Sequence, residues 1–191
     1  MTQVSVYGKM ALREQSTVGA YRRQILEVLF AGMLNARFGE MSQKPDAPFT
    51  FASSGQGRFV RSGEMYLLSA GVKDGGIERG LDALVTEAER VARHGFTSTE
   101  LARTKANVLR GMESAYAERD KSNSGGYASE LTRAFLEDEP VPGIEAEYRL
   151  TEQLLPGINL QEVNRLAREW IVNRNRVILA NQPAKADLPV P

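Results

Sequence analysis

Apolar and polar positions follow two rhythms along this chain, and the switches between them mark its elements. Val4, Val6 and Tyr7 are good sheet formers, with Val4 and Val6 on one face, which predicts a strand over Thr2–Met10. Beyond it the step lengthens. Tyr21, Ile25, Leu26, Leu29, Met33, Leu34 and Phe38 recur at helical spacing. Ser16 or Thr17 is placed to cap that helix, and Gly39 with the Lys44–Pro48 turn to end it. Two strands follow. The first covers about Phe49–Val60 and is interrupted by the loop Ser53-Ser54-Gly55-Gln56-Gly57; the second covers about Glu64–Lys73. Met65–Leu68 is nearly continuous in apolar character, as in a strand covered on both faces. Arg61-Ser62-Gly63 has the length of a hairpin turn.

After Asp74-Gly75-Gly76 the helical rhythm takes over. Ile77, Leu81, Leu84, Val85, Ala88 and Val91 form the clearest stripe, ending at His94-Gly95. Thr97 and Glu100 make a capping box for a third helix, which runs to about Lys121 with Leu101, Val108, Leu109, Met112 and Tyr116 inward. Ser122–Gly126 breaks it, and Tyr127–Glu137 is helical again up to Pro140 and Pro142. Ile144–Leu155 is a short helix stopped by Pro156-Gly157. Asn159 and Glu162 repeat the capping pattern before Val163, Leu166, Ala167, Trp170 and Ile171. Arg176–Ala180 is a closing strand, and Pro183–Pro191 reads as a linker after a domain spanning 1–182. Strands separated by long helices, with one tight strand pair, give the fold class α+β: a mixed sheet with helices packed against it.

Composition narrows the chemistry. The 191 residues hold 24 basic and 24 acidic side chains, a balance that argues against a nucleic-acid or polybasic membrane-surface binder. There is no Cys and one His, which excludes thiolate metal sites, a Cys nucleophile and any zinc site built on two imidazoles. No run approaches the length of a membrane span, and the first residues do not have the pattern of an export signal.

Few residues remain as candidates. His94 is the one conventional base near neutral pH, and its place at a helix end favours a structural role. Ser53-Ser54-Gly55 lacks the frame of a nucleophile elbow, and neither Ser54-Gly55-Gln56-Gly57 nor Asp74-Gly75-Gly76 completes a phosphate-binding loop. The Ser53–Gly57 loop could be flexible and line a cavity, but its favoured reading is a plain turn, and Asp74-Gly75-Gly76 reads as a strand-to-helix turn. Glu87, Glu89, Arg90 and Arg93 read as a solvated charged face. Glu137-Asp138-Glu139 could bind a hard cation but lacks a calcium-loop ladder, and its plainer reading is an exposed helix end. Tyr116, Tyr127, Tyr148 and Trp170 read as core. No residue is assigned a catalytic, cofactor-binding or metal-ligating role.

Three stretches together resemble a known domain. Leu29–Met41 (LFAGMLNARFGEM), Phe96–Tyr116 (FTSTELARTKANVLRGMESAY) and Leu154–Trp170 (LLPGINLQEVNRLAREW) are similar to the second, non-catalytic type of domain in the insulinase/pitrilysin/mitochondrial processing peptidase family of zinc peptidases. Gly95, Phe96, Thr97, Glu100, Leu101 and Lys105 match one family helix start; Leu160, Val163, Ala167 and Trp170 match a second helix less strictly. The likeness is greatest to bacterial members.

The resemblance implies a two-layer sandwich of about half a dozen strands with helices on one face. It implies a parent zinc metalloendopeptidase whose repeated domains enclose a chamber for peptide substrate, with zinc on an inverted H-x-x-E-H helix and a distant Glu. That motif is absent here, so no catalytic residue carries over, and zinc is expected in a catalytic domain of the same polypeptide, this chain's partner. An Arg and a Tyr that the family's other half brings near substrate align at Met65 and Ile77, and neither matches. This favours the position immediately after the catalytic domain in the first half. The linker-like tail and the start on a strand agree with a fragment. A family member inactive throughout, acting as a scaffold or partner subunit, would carry the same domain, and an unrelated peptide-binding module is a third reading. The substrate and oligomeric state are unread; a periplasmic setting suits a bacterial parent.

Overall fold

The computed structural model describes residues 1–121 and 123–185. The elements are β1 (Thr2–Ala11), α1 (Val18–Ser42), β2 (Phe51–Val60), β3 (Gly63–Val72), α2 (Ile77–His94), α3 (Ser98–Ala117), α4 (Ser124–Glu137), α5 (Ile144–Leu154), α6 (Leu160–Trp170) and β4 (Arg176–Asn181), with a 3₁₀ turn at Arg119–Lys121. The chain forms two compact units. One comprises residues 1–12, 30–96 and 164 onward; the other comprises 13–29 and 97–163.

The first unit holds the sheet, ordered β2-β3-β1-β4. The α+β class stands, but the sheet is antiparallel in every pairing and four-stranded, not mixed. A strand–helix–strand pattern usually means parallel neighbours. Here β1 and β2 do run parallel, but the hairpin partner β3 inserts between them, a split β-α-β arrangement. Local pattern encodes a strand's existence, not the slot it takes. Val4 faces Ala70 and Val6 faces Leu68 across the β1–β3 ladder, so these side chains share a face with Tyr66 and Val72. α2 buries Ile77, Leu84, Ala88 and Val91, and the unit's aromatic centre is Phe30, Tyr66, Phe96 and Trp170, with Trp170 stacked 4.9 Å from Tyr66 and Phe30 edge-on to Trp170 at 5.1 Å. On the opposite face Tyr7 and Leu67 are half-buried and Phe51, Val177 and Leu179 are exposed.

Two expected breaks are absent. α1 continues through Gly39 to Ser42, whose hydroxyl donates to the Gly39 carbonyl at 2.8 Å. A glycine costs about 1 kcal/mol in a helix, which the burial of Leu29, Phe30, Met33, Leu34 and Phe38 outweighs. Ser53–Gly57 is no loop: it pairs with Ser69 through Met65 along β3. The outer side of Ser54 is also occupied. Asn35 donates through Nδ2 to its carbonyl at 3.1 Å and accepts from its N–H at 2.6 Å, so a side chain takes the place of a neighbouring strand.

The second unit is helical. Tyr21 donates its hydroxyl to the Glu147 carbonyl at 3.1 Å and lies 3.0 Å from the Thr151 hydroxyl; burial pushes its phenol above the usual range. Thr151, Leu155, Ile158, Leu101 and Val163 are buried. Leu109, expected in the core beside Leu84, is only half-buried, as are Val108, Met112 and Tyr116. Tyr127 is 52% exposed and is not core; Tyr116 and Tyr148 stack at 5.1 Å with both rings half-buried. Of the proposed break at Ser122–Gly126, Ser122 lies outside the described residues, Asn123 caps α4, and Ser124–Gly126 are already helical. Of the proposed tail, only 183–185 are described, without regular structure.

Candidate functional site

The residues that carry the family resemblance are brought into use by the fold as fasteners. Gly95 closes α2 at φ +73, and a Cβ there would come within 2.5 Å of the Asn164 carboxamide. The next residue shows why that approach is kept: the Phe96 N–H donates to Asn164 Oδ1 at 2.8 Å. Arg37 covers the same corner, donating to the Gly95 carbonyl at 3.3 Å and placing its guanidinium 5.0 Å from the Phe96 ring centre. In the helical unit the Thr97–Glu100 capping box forms in full. Lys105 donates through Nζ to the Ile158 carbonyl at 2.6 Å and the Pro156 carbonyl at 3.1 Å, tying down the turn after α5. Burial pulls its ammonium below the usual lysine range. Asn159 and Glu162 make the reciprocal bonds of a second box, at 3.1 and 2.9 Å.

The other candidates are distributed, not gathered. His94 is exposed, the last residue of α2. Asp74-Gly75-Gly76 is the expected strand-to-helix turn, with Gly75 at φ +77. Asp74 accepts from Lys185 Nζ at 2.5 Å and from the Thr2 hydroxyl at 2.7 Å, which hold its carboxyl below the usual range in that order. Glu87 does not belong to a solvated face: it is 4% exposed and accepts from Arg37 at 3.0 Å and Arg90 at 2.8 Å. Glu137-Asp138-Glu139 closes α4, with Asp138 left-handed at φ +54 and Glu139 paired to Arg133 at 2.8 Å.

Sequence reasoning missed several buried polar groups, among them the carboxylates of Glu27, held by Arg13 and Arg23, and Glu64. Glu64 is 1% exposed, faces Arg58 across the β2–β3 ladder, and accepts from Gln56 Nε2 at 2.7 Å. Its signal was present, a carboxylate in register with Tyr66 and Leu68 on an otherwise apolar strand face. Near it Ser54 and Tyr66 share a hydroxyl contact at 3.0 Å, and burial raises the Tyr66 phenol far above its usual value. Pairing across a ladder is a structural use of such charges.

Zinc does not fit the donors available. The sequence has one His and no Cys, and among the described residues no group of three or more His, Asp or Glu is placed to hold a metal ion. Among the described residues no helix is long and apolar enough to cross a membrane.

The chain is 32% identical over 183 residues to the zinc protease PQQL-like of Arabidopsis thaliana, a match covering 96% of this chain. Over nearly its whole length, this chain is homologous to part of a plant zinc protease. It spans 16% of the length of that plant relative. No protein-family model matches the chain.

Solved structures agree on the fold. The first half of the periplasmic protease PqqL from Escherichia coli superimposes with a TM-score of 0.83 at 16% identity, over 93% of this chain and 38% of that one. A predicted insulinase family protease from Yersinia pestis gives 0.83 at 14% identity, over 100% and 41%. The inactive peptidase domain of a Bordetella parapertussis zinc protease gives 0.64 at 17%, over 98% and 96%.

Proposed function

We propose that this chain is the non-catalytic domain of an insulinase-type zinc metalloendopeptidase, packing beside the catalytic domain, forming part of the chamber wall and helping to position peptide substrate. The observation that carries the reading is a mismatch. A chain alignable over nearly its whole length with part of a zinc protease has a single, exposed histidine at a helix end, where the resembling motif requires two on one helix face. Its matched motif residues serve a cap, a turn and a lysine clasp or fill the core, which suits a domain that supplies shape. Placement directly after the catalytic domain, with 1–182 as the domain and 183–191 as the linker, a bacterial parent and a periplasmic setting belong to the same proposal.

Metal analysis and peptide-cleavage assays on this chain test it. The expected result is no stoichiometric zinc and no hydrolysis; tight zinc or robust cleavage overturns the non-catalytic assignment. A second reading, a scaffold in a protein inactive throughout, is supported by the likeness to an inactive peptidase domain. An H-x-x-E-H motif in the polypeptide preceding this segment decides for the active parent, and its absence there for the scaffold.

A further inference from the structure

The two edges of the sheet are finished differently. Lys9 in β1 donates its N–H to the Asn175 carbonyl at 3.0 Å, in register with the β1–β4 ladder. Backbone groups of an antiparallel strand point alternately to its two sides. Val177 and Leu179 therefore bond to β1, and the N–H and C=O of Arg176, Ile178 and Ala180 point away from the sheet. Followed across β1 and β3, the same alternation turns the N–H and C=O of Ser54 outward at the β2 edge. There Asn35 occupies both, at 2.6 and 3.1 Å. At β4 no side chain among the described residues does this, and all six residues of the strand are exposed.

β4 is also apolar on both of its faces. Val177, Ile178 and Leu179 are 40%, 46% and 45% exposed; Ile178 shares a face with Val6, and the other two share one with Tyr7 and Ser5. No Pro and no charged residue interrupts Val177–Ala180, although these are the usual devices that keep an edge from pairing. An edge with outward amides and apolar side chains is a template for another strand.

The strand is complementary to its own reverse. A two-fold axis at Ile178 sets Ile178 against Ile178 of a second copy, Arg176 against Ala180, and Val177 against Leu179. Residues of the same face meet, and the outward N–H and C=O of Arg176, Ile178 and Ala180 meet as hydrogen-bonded pairs. No like charges are opposed, and 24 basic against 24 acidic side chains leave no net repulsion between copies. We propose that β4 pairs antiparallel with β4 of a second copy about that axis, joining two four-stranded sheets into one. The association closes at two copies, because the contact occupies both β4 edges and Asn35 holds both β2 edges. A contact one strand wide is small, so the dimer is reversible.

The test is analytical ultracentrifugation of the intact chain over a concentration series. A monomer–dimer equilibrium is expected, with hydrogen exchange at the Ile178 and Ala180 amides slowing as the dimer fills. Ile178→Lys sets like charges against each other on the axis and should weaken dimerisation by about tenfold. Ile178→Glu should do the same. An equimolar mixture of the two variants should recover the parent's association, since Lys then faces Glu. Ala180→Asp faces Arg176 of the second copy and should tighten the dimer about threefold, a readout that survives if the Ile178 variants do not fold by circular dichroism. A monomer at every concentration overturns the proposal, including one that takes up an extended foreign peptide at this edge. So does a dimer indifferent to Ile178→Lys, a mixture of folded variants that stays monomeric, or an Ala180→Asp dimer no tighter than the parent. Zinc content and hydrolysis do not enter these readouts, so this inference and the peptidase-domain reading stand or fall separately.

Discussion

Helices α2 and α4 carry the same kind of pattern and meet opposite fates. Both have large apolar side chains at helical spacing and charged residues elsewhere. In α2 the stripe of Ile77, Leu84, Ala88 and Val91 is buried, and even the carboxylate of Glu87 is sealed between Arg37 and Arg90. In α4 the corresponding stripe of Tyr127, Leu131 and Phe135 faces water, and the half-buried side includes two glutamates. Amphipathicity therefore states that a helix has an apolar side, not that this chain supplies its cover. A segment spanning a small fraction of its longer relative can leave such a side for a partner.

The largest way to break this contrast is at the centre of α2. Leu84→Ala should cost about 2–5 kcal/mol in urea unfolding, since its side chain is fully enclosed. A variant with an unchanged midpoint would mean that α2 is no better buried than α4. Next comes the end of α2. Gly95→Ala places a Cβ against Asn164 at a backbone conformation few side chains adopt, and should cost about 1–3 kcal/mol in thermal unfolding. Asn164→Ala in the same background should recover part of that loss by removing the clash.

Glu147, which feels the charge of α4, should give a smaller effect with a definite sign. Its folded carboxyl is raised above the unfolded value, so its favourable contribution is complete at pH below the unfolded value and is lost as pH rises through the folded one. Glu147→Gln should consequently be more stable than the parent at neutral pH, by less than about 1 kcal/mol given its partial exposure, and the two stabilities should draw together in acid. Pairs of urea curves across that range would show it; parallel curves would refute it. The smallest effect belongs to α4 itself. Phe135→Ser should shift stability by no more than about 0.5 kcal/mol, and a larger loss would show that the exposed face is packed within this chain.

Legibility in the sequence followed the range of the interaction. Thr97 and Glu100, or Asn159 and Glu162, satisfy each other across a single turn, so both boxes were readable from spacing and form as expected. Lys105 was visible as a motif residue, but its role depends on carbonyls at Pro156 and Ile158, which lie far along the chain. Ser53–Gly57 has the local pattern of a loop because small and flexible residues favour turns, whereas β3 and Asn35 together hold it extended. Tyr127 and Leu109 failed as core residues for a related reason: periodicity gives a face, and only neighbouring elements decide how much of it is covered.

The sequence by itself determined the succession of elements, the caps that separate them, the α+β class, the family likeness and the lack of the histidines a zinc helix requires. Those depend on backbone preferences, spacing and composition, which act over a few residues or need no structure at all. The tertiary structure alone decided that β3 slips between β1 and β2 to make the sheet antiparallel, that Glu64 and Glu87 are enclosed, and that α4 turns its apolar stripe outward. Each of these depends on which distant surfaces meet, and burial is a property of the pair of surfaces, not of either one alone.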